Sequence, residues 1–175
     1  MKLNVIDELP NCTGWLASEK LDGVRAIWTG ECFITRQGKM LKPPTWFTAK
    51  MPSVRLDGEI YMGRGRFNEL QRAMQIKGGD WSGFEYHVFD LAELRTPIEA
   101  RLQKLKSIKL PSHVKLVSHV VLSSNRELDE MEKAIVDGGG EGVVIRAAGS
   151  SYKGVFDYNM VKVKRLFPDL ERWQG

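Results

Sequence analysis

Short β-prone runs recur along this chain, and they are not spaced as βαβ units. Residues 14–18 (GWLAS), 24–29 (VRAIWT) and 32–36 (CFITR) open the series, the last two joined through Thr29-Gly30-Glu31, which reads as a hairpin turn. Val54–Met62, Glu85–Leu91, Val114–Leu122, Gly142–Arg146 and Met160–Lys164 continue it. Helical stretches lie between them. Arg66–Ile76 places Phe67, Leu70 and Met74 on one face, and Pro97–Ile108 starts with Pro in its first turn and spaces Ile98, Leu102 and Leu105 helically. Ser124–Val136 has the clearest helical signature: Ser124 with Glu127 as a capping box, Leu128, Met131 and Ile135 as the apolar face, and Gly138-Gly139-Gly140 as terminator. The pattern implies a mixed α+β domain.

At 175 residues and 42% hydrophobic content, the sequence can close one core of ordinary size. With 17 Gly, 7 Pro, no fixed-period repeat and no low-complexity tract, collagen-like, solenoid and linker readings fail. No apolar run approaches the ~18 residues that span a bilayer. Asp7 and Glu8 fall where a signal peptide would be apolar, so an unexported protein of the cytoplasm with no membrane partner is expected, and it is read as a monomer. Cys12 and Cys32 lack both zinc spacing and disulfide density and read as reduced thiols. A net charge of +4 is compatible with a polyanionic partner without requiring one.

The charged residues on strand-like segments are more informative. In Ser18-Glu19-Lys20-Leu21-Asp22-Gly23-Val24-Arg25, a lysine ends an apolar strand and an arginine follows a glycine turn, so an amine lies beside a second cation where a phosphate could sit. The same spacing also fits a solvated charged turn. Glu59 in LDGEIY and Glu141 in GGEGVVIR are embedded among residues expected to be half buried, and Lys162 and Lys164 alternate with Val161 and Val163, on one side of a strand. Desolvated charges need partners or a ligand. Two carboxylates with several cations suit a nucleoside triphosphate carrying a divalent metal, the carboxylates for the hard cation and the lysines for the phosphates. Phe89 on its strand reads by default as core, and His87, His113 and His119 have no metal-ligand spacing.

The ordered series EKLDGVR, TRQGK, LDGEIY, VFDL, EGVVIR and VKVKR, from Glu19 to Arg165, resembles the motif series of the covalent nucleotidyltransferases, which comprise ATP-dependent DNA ligases, RNA ligases and mRNA capping enzymes. The compact spacing, EKLDGVRA, and LDGE followed by GRGRF are most similar to small bacterial and phage ATP-dependent DNA ligases. The resemblance implies the ligase-type nucleotidyltransferase fold, α+β and ATP-grasp-like, with mainly antiparallel sheets flanked by helices. It also implies residue roles. Lys20 matches the nucleophile that attacks the ATP α-phosphate and becomes lysyl-N-AMP. Arg25 and Arg36 match arginines on the nucleotide and on the 5′-phosphate of the nick. Glu59 matches a carboxylate on the ribose or metal, Glu141 a metal-coordinating carboxylate, and Lys162 and Lys164 the phosphate-contacting pair. Phe89 and Val144 match the two residues that enclose adenine. Ser18 stands where larger ligases often carry a Glu that reads the adenine amine, leaving that role to backbone around Glu19. The implied cofactors are ATP and Mg²⁺, for which Mn²⁺ can substitute, and the implied partner is nicked double-stranded DNA.

Within this resemblance the nucleotidyltransferase domain is expected over 1–167, with 168–175 as a stub where an OB-fold domain normally follows. An RNA ligase or RNA-capping guanylyltransferase is the alternative within the superfamily, and a catalytically silent nucleic-acid-binding module is the alternative outside it. Retention of Lys20, Glu59 and Glu141 together weighs against the silent module. A free lysine, with pKa near ~10.4, is almost wholly an ammonium at neutral pH and cannot attack phosphorus. Neighbouring cations would have to lower that value.

Overall fold

The hairpin expected at Thr29-Gly30-Glu31 forms: the Thr29 amide donates to the Cys32 carbonyl at 2.9 Å, and Thr29 Oγ1 accepts from the amides of Glu31 and Cys32. The computed structural model describes residues 10–92 and 95–152 and the backbone of 160–163. Its strands are β1 (Leu16–Glu19), β2 (Val24–Trp28), β3 (Phe33–Thr35), β4 (Leu56–Tyr61), β5 (Glu85–Leu91), β6 (Val114–Leu116), β7 (Val120–Val121), β8 (Val143–Arg146) and β9 (Met160–Val163). The helices are α1 (Thr45–Thr48), α2 (Phe67–Gln75), α3 (Ile98–Lys106) and α4 (Asn125–Asp137). Two sheets result, ordered β7-β1-β8-β9 and β3-β2-β4-β5-β6. Among the described strands every pairing is antiparallel except the parallel one of β5 with β6. No described helix is long and apolar enough to cross a membrane.

Each sheet has its own core. Phe33, Leu56, Ile60, Tyr86, Val88 and Leu91 project from the five-stranded sheet to meet Phe47 of α1, Leu70 of α2 and Leu105 of α3. Side chains of this size contribute roughly 1.5–3 kcal/mol each on burial. The four-stranded sheet buries Ala17, Val143 and Ile145 against Leu128 and Ile135 of α4. Helix α4 follows its sequence signature closely. Ser124 Oγ accepts from the Glu127 amide, but the Glu127 carboxylate accepts from the amide and hydroxyl of Ser123 instead of Ser124, so the box closes one residue early. At the other end the Gly140 amide donates to Ile135 O and the Gly139 amide to Val136 O, the paired bonds of a Schellman motif.

Two features depart from the sequence reading. The run 114–122 is not one strand: Val114–Leu116 joins β5 in one sheet and Val120–Val121 joins β1 in the other. A β-prone run specifies extended backbone but not which neighbour it pairs with, and here the chain changes sheets at 117–119, where the His119 Nδ1 bonds the Val117 carbonyl at 2.9 Å. Helix α1 went unanticipated because its four residues are too few to establish a period.

Candidate active site

Between the two sheets lies a cavity of about 300 Å³. Strand β1 and the turn after it supply Ser18, Glu19, Lys20 and Gly23, β2 supplies Arg25, β4 Glu59, β5 Phe89, and β8 Val144 and Arg146, with Glu141 just ahead of β8. The turn must be tight, since a Cβ at Gly23 would lie 2.2 Å from the Ile60 carbonyl oxygen. The Lys20 amide donates to Gly142 O at 2.8 Å, which ties the end of β1 to the start of β8. Lys20 Nζ and Glu141 Oε2 form an ion pair in which the lysine is 15% and the glutamate 33% exposed, so the amine is sheltered but reachable.

Beneath the cavity is a buried charge network. Arg25 Nε and Nη2 donate to the two oxygens of Asp57 at 3.1 and 2.7 Å, and Tyr152 donates its hydroxyl to the same carboxylate at 2.9 Å. Burial disfavours the Arg25 charge, but the Asp57 carboxylate outweighs it and raises the Arg25 pKa further above its ordinary value. Burial pushes the Glu59 carboxyl up to about 7, against the pull of Arg25 and Lys20. Asp90 accepts from Arg101 at 2.7 and 3.0 Å and from Arg146 at 2.8 Å.

A β-bulge sets this geometry. Asp57 pairs with Asp90 but Gly58 pairs with Val88, so Phe89 is an extra residue in β5. Its side chain reaches the cavity while its carbonyl accepts from Arg146 Nη2 at 3.2 Å. The Arg25 and Arg146 guanidinium carbons each lie 5.3 Å from the Phe89 ring centroid.

Of the residues singled out from sequence, Ser18, Glu19, Lys20, Arg25, Glu59, Phe89, Glu141 and Val144 meet around this one cavity. Arg36 does not line it; it is exposed on the turn after β3, where the Gly38 amide donates to Thr35 O. The backbone of Lys162 pairs with Val144 in the β8–β9 ladder, and Lys164 lies outside the described residues. No group of three or more His, Cys, Asp or Glu among the described residues is placed to hold a metal ion alone, and both cysteines are free thiols. Sequence reasoning passed over Asp57, Asp90, Arg101, Arg146 and Tyr152. The signal was available in part: Asp57 in LDGEIY and Arg146 in VVIR are charges embedded in strand runs, like Glu59.

The sequence profile of the ATP-dependent DNA ligase domain matches residues 4–164. A DNA ligase of Haemophilus influenzae is 32% identical over 155 residues, covering 86% of this chain and 58% of the relative. Among solved structures, a Lig E DNA ligase, from a structure–function study of DNA binding with a minimal scaffold, superposes with a TM-score of 0.81 at 28% identity, covering 89% of this chain and 64% of that one. The Chlorella virus DNA ligase–adenylate shares the fold, with a TM-score of 0.74 at 22% identity over 94% of this chain and 66% of that one. This chain therefore spans about three-fifths of its curated relative. With the profile covering nearly the whole sequence and the lysine motif opening onto the inter-sheet cavity, the chain belongs to the family of ATP-dependent DNA ligase domains.

Proposed function

We propose that this chain is the adenylation domain of an ATP-dependent DNA ligase and that Lys20 carries the nucleotide. The observation that best supports this is the convergence of Lys20, Glu59, Phe89, Glu141 and Val144 on one nucleoside-sized cavity, with the amine at its edge. Phe89 and Val144 would flank adenine, Ser18 and the backbone of Glu19 would meet its edge, and Glu59 would meet the ribose. Arg25, Lys162 and Lys164 would neutralise the phosphates.

In the ion pair with Glu141, Lys20 is an ammonium and inert. Once parted from Glu141 and deprotonated, its amine attacks the α-phosphate, a P–N bond forms and pyrophosphate leaves. AMP then passes to the 5′-phosphate at a nick in duplex DNA, gripped by Arg25 and Arg36, and attack by the 3′-hydroxyl seals the strand and frees AMP. The reaction belongs to the cytoplasm, with the domain acting as a monomer.

Mg²⁺ fits this donor set. It is usually held by one or two carboxylates plus substrate phosphates and seldom by a dedicated protein cage. Glu141, one-third exposed beside the nucleophile, and Glu59 on the cavity wall would supply those carboxylates. Bound there, the ion would offset negative charge on the phosphates.

Incubation with α-labelled ATP followed by denaturing electrophoresis tests the proposal. The chain should retain an acid-labile AMP, and Lys20→Arg should retain none, because a guanidinium is effectively never deprotonated. Labelling by GTP but not ATP would instead identify a capping-type enzyme.

A further inference from the structure

The GRGRF run stands out in the sequence and has no place in the chemistry above. Its first arginine, Arg64, lies on the turn after β4 and makes three charge-assisted bonds. Nε and Nη2 donate to the two oxygens of Glu19 at 2.9 Å each, and Nη1 donates to the Gly138 carbonyl at 2.9 Å. Glu19 is the last residue of β1 and precedes Lys20; Gly138 caps α4 and begins the glycine turn that leads to Glu141. One guanidinium thus holds both the neighbour of the nucleophile and the segment carrying its carboxylate partner, and it reaches them from the other sheet.

The local sequence is built around this side chain. Gly63 and Gly65, on either side of Arg64, have φ of +108° and +72°, backbone that other residues rarely adopt. A Cβ at Gly138 would lie 2.5 Å from Arg64 Nη1. Three glycines therefore make the seat. Arg64 also lines, with Glu19, Lys20, Gly140 and Glu141, a second cavity of about 210 Å³ that adjoins the ion pair. An ordinary surface ion pair contributes little to stability. A bidentate fork with a third anchor differs in fixing geometry, and reaction rate is sensitive to geometry at the level of one ångström.

We infer that Arg64 is a positioning residue that fixes the end of β1 carrying Lys20 relative to the turn leading to Glu141, so that the amine is aligned for attack once it parts from that carboxylate, an inference that rests on the adenylation reading. Its removal should slow formation of the P–N bond without weakening ATP binding, because Arg64 does not line the nucleotide cavity.

The test compares wild type, Arg64→Ala, Arg64→Lys and, as control, Arg66→Gln. Arg66 lies in the same turn but bonds Glu69 within α2 and the Met62 carbonyl. Two quantities are measured: the dissociation constant of α,β-methylene-ATP, and the single-turnover rate of lysyl-AMP formation. Expected are a rate lower by about 10- to 100-fold for Arg64→Ala, a dissociation constant within about twofold of wild type, and partial recovery of rate on adding guanidinium at sub-denaturing concentration. Arg66→Gln should match wild type in both. If Arg64→Ala does not fold, Arg64→Lys carries the test, since an ammonium keeps the charge opposite Glu19 but cannot reproduce the fork; it should show the same split. Wild-type rates in both Arg64 variants would overturn the inference, as would equal losses of affinity and rate. Absence of label on wild type would overturn the adenylation reading itself.

Discussion

Arg146 on β8 donates to Asp90 on β5 at 2.8 Å, a bond that joins the two sheets directly beneath the cavity. Arg146 and Asp90 are 2% and 1% exposed, and Arg101 from α3 completes the triad. Two sheets that meet over a ligand site need a fixed separation at its floor, and this charged contact supplies it.

Asp90→Asn should therefore be costly. Removing one partner of a buried ion pair typically loses about 3–5 kcal/mol, because the remaining charges stay desolvated. Here two guanidiniums would lose their carboxylate together. Urea denaturation should give a lower midpoint with an unchanged slope. A midpoint matching wild type would mean that the triad does not stabilise the fold.

Phe89→Ala should weaken ATP binding by roughly 1–3 kcal/mol, the range for base–aromatic stacking, and Phe89→Tyr should preserve it. Isothermal titration with α,β-methylene-ATP reads the difference. Losses that follow thermal stability with no preference for a ring would return Phe89 to an ordinary packing role.

Acid should destabilise the protein through His119. Burial first, then the Arg146 charge, lower its pKa from 6.5 to about 4, with Lys106 acting in the same sense and the Val117 carbonyl opposing. A folded pKa below the unfolded value means the unfolded chain binds the proton more readily. This contribution is present above pH 6.5 and is lost as pH falls towards 4. Between pH 7 and pH 5 it amounts to about 1–2 kcal/mol. His119→Asn, whose amide can still donate to Val117 O but takes up no proton, should show a shallower fall in thermal midpoint over that interval. Parallel wild-type and variant curves would exclude His119 as the source.

Glu141→Ala should suppress lysyl-AMP formation in a way that depends on metal concentration, with partial recovery at high Mg²⁺ or in Mn²⁺. Wild-type labelling at every metal concentration would reduce Glu141 to a structural partner of Lys20.

Much of the fold was legible in the sequence. β5 matches its expected span residue for residue, and α4 is displaced by one. The site was legible where a charge interrupted an apolar strand, as at Glu59. Asp90 was not, because strict alternation along EYHVFDL assigns it to the face of Tyr86 and Val88, and only the bulge moves it. The seat of Arg64 escaped for another reason: its partners Glu19 and Gly138 lie 45 and 74 residues away, and no local pattern encodes such separations.

The bulge at Phe89 also has a consequence for how the cavity could change. A regular strand offers one side chain per face about every 7 Å, so a ring and an anchoring carboxylate would ordinarily need separate strands or a longer reach. The inserted residue puts Phe89 and Asp90 side by side above Arg146, and the ladder pairs resume at Val88 and Asp90 on either side of it. Phe89 is thus the position of β5 whose identity is uncoupled from strand pairing. The aromatic surface offered to a ligand can be retuned there, ring for ring, without shifting the register of the sheet that carries it.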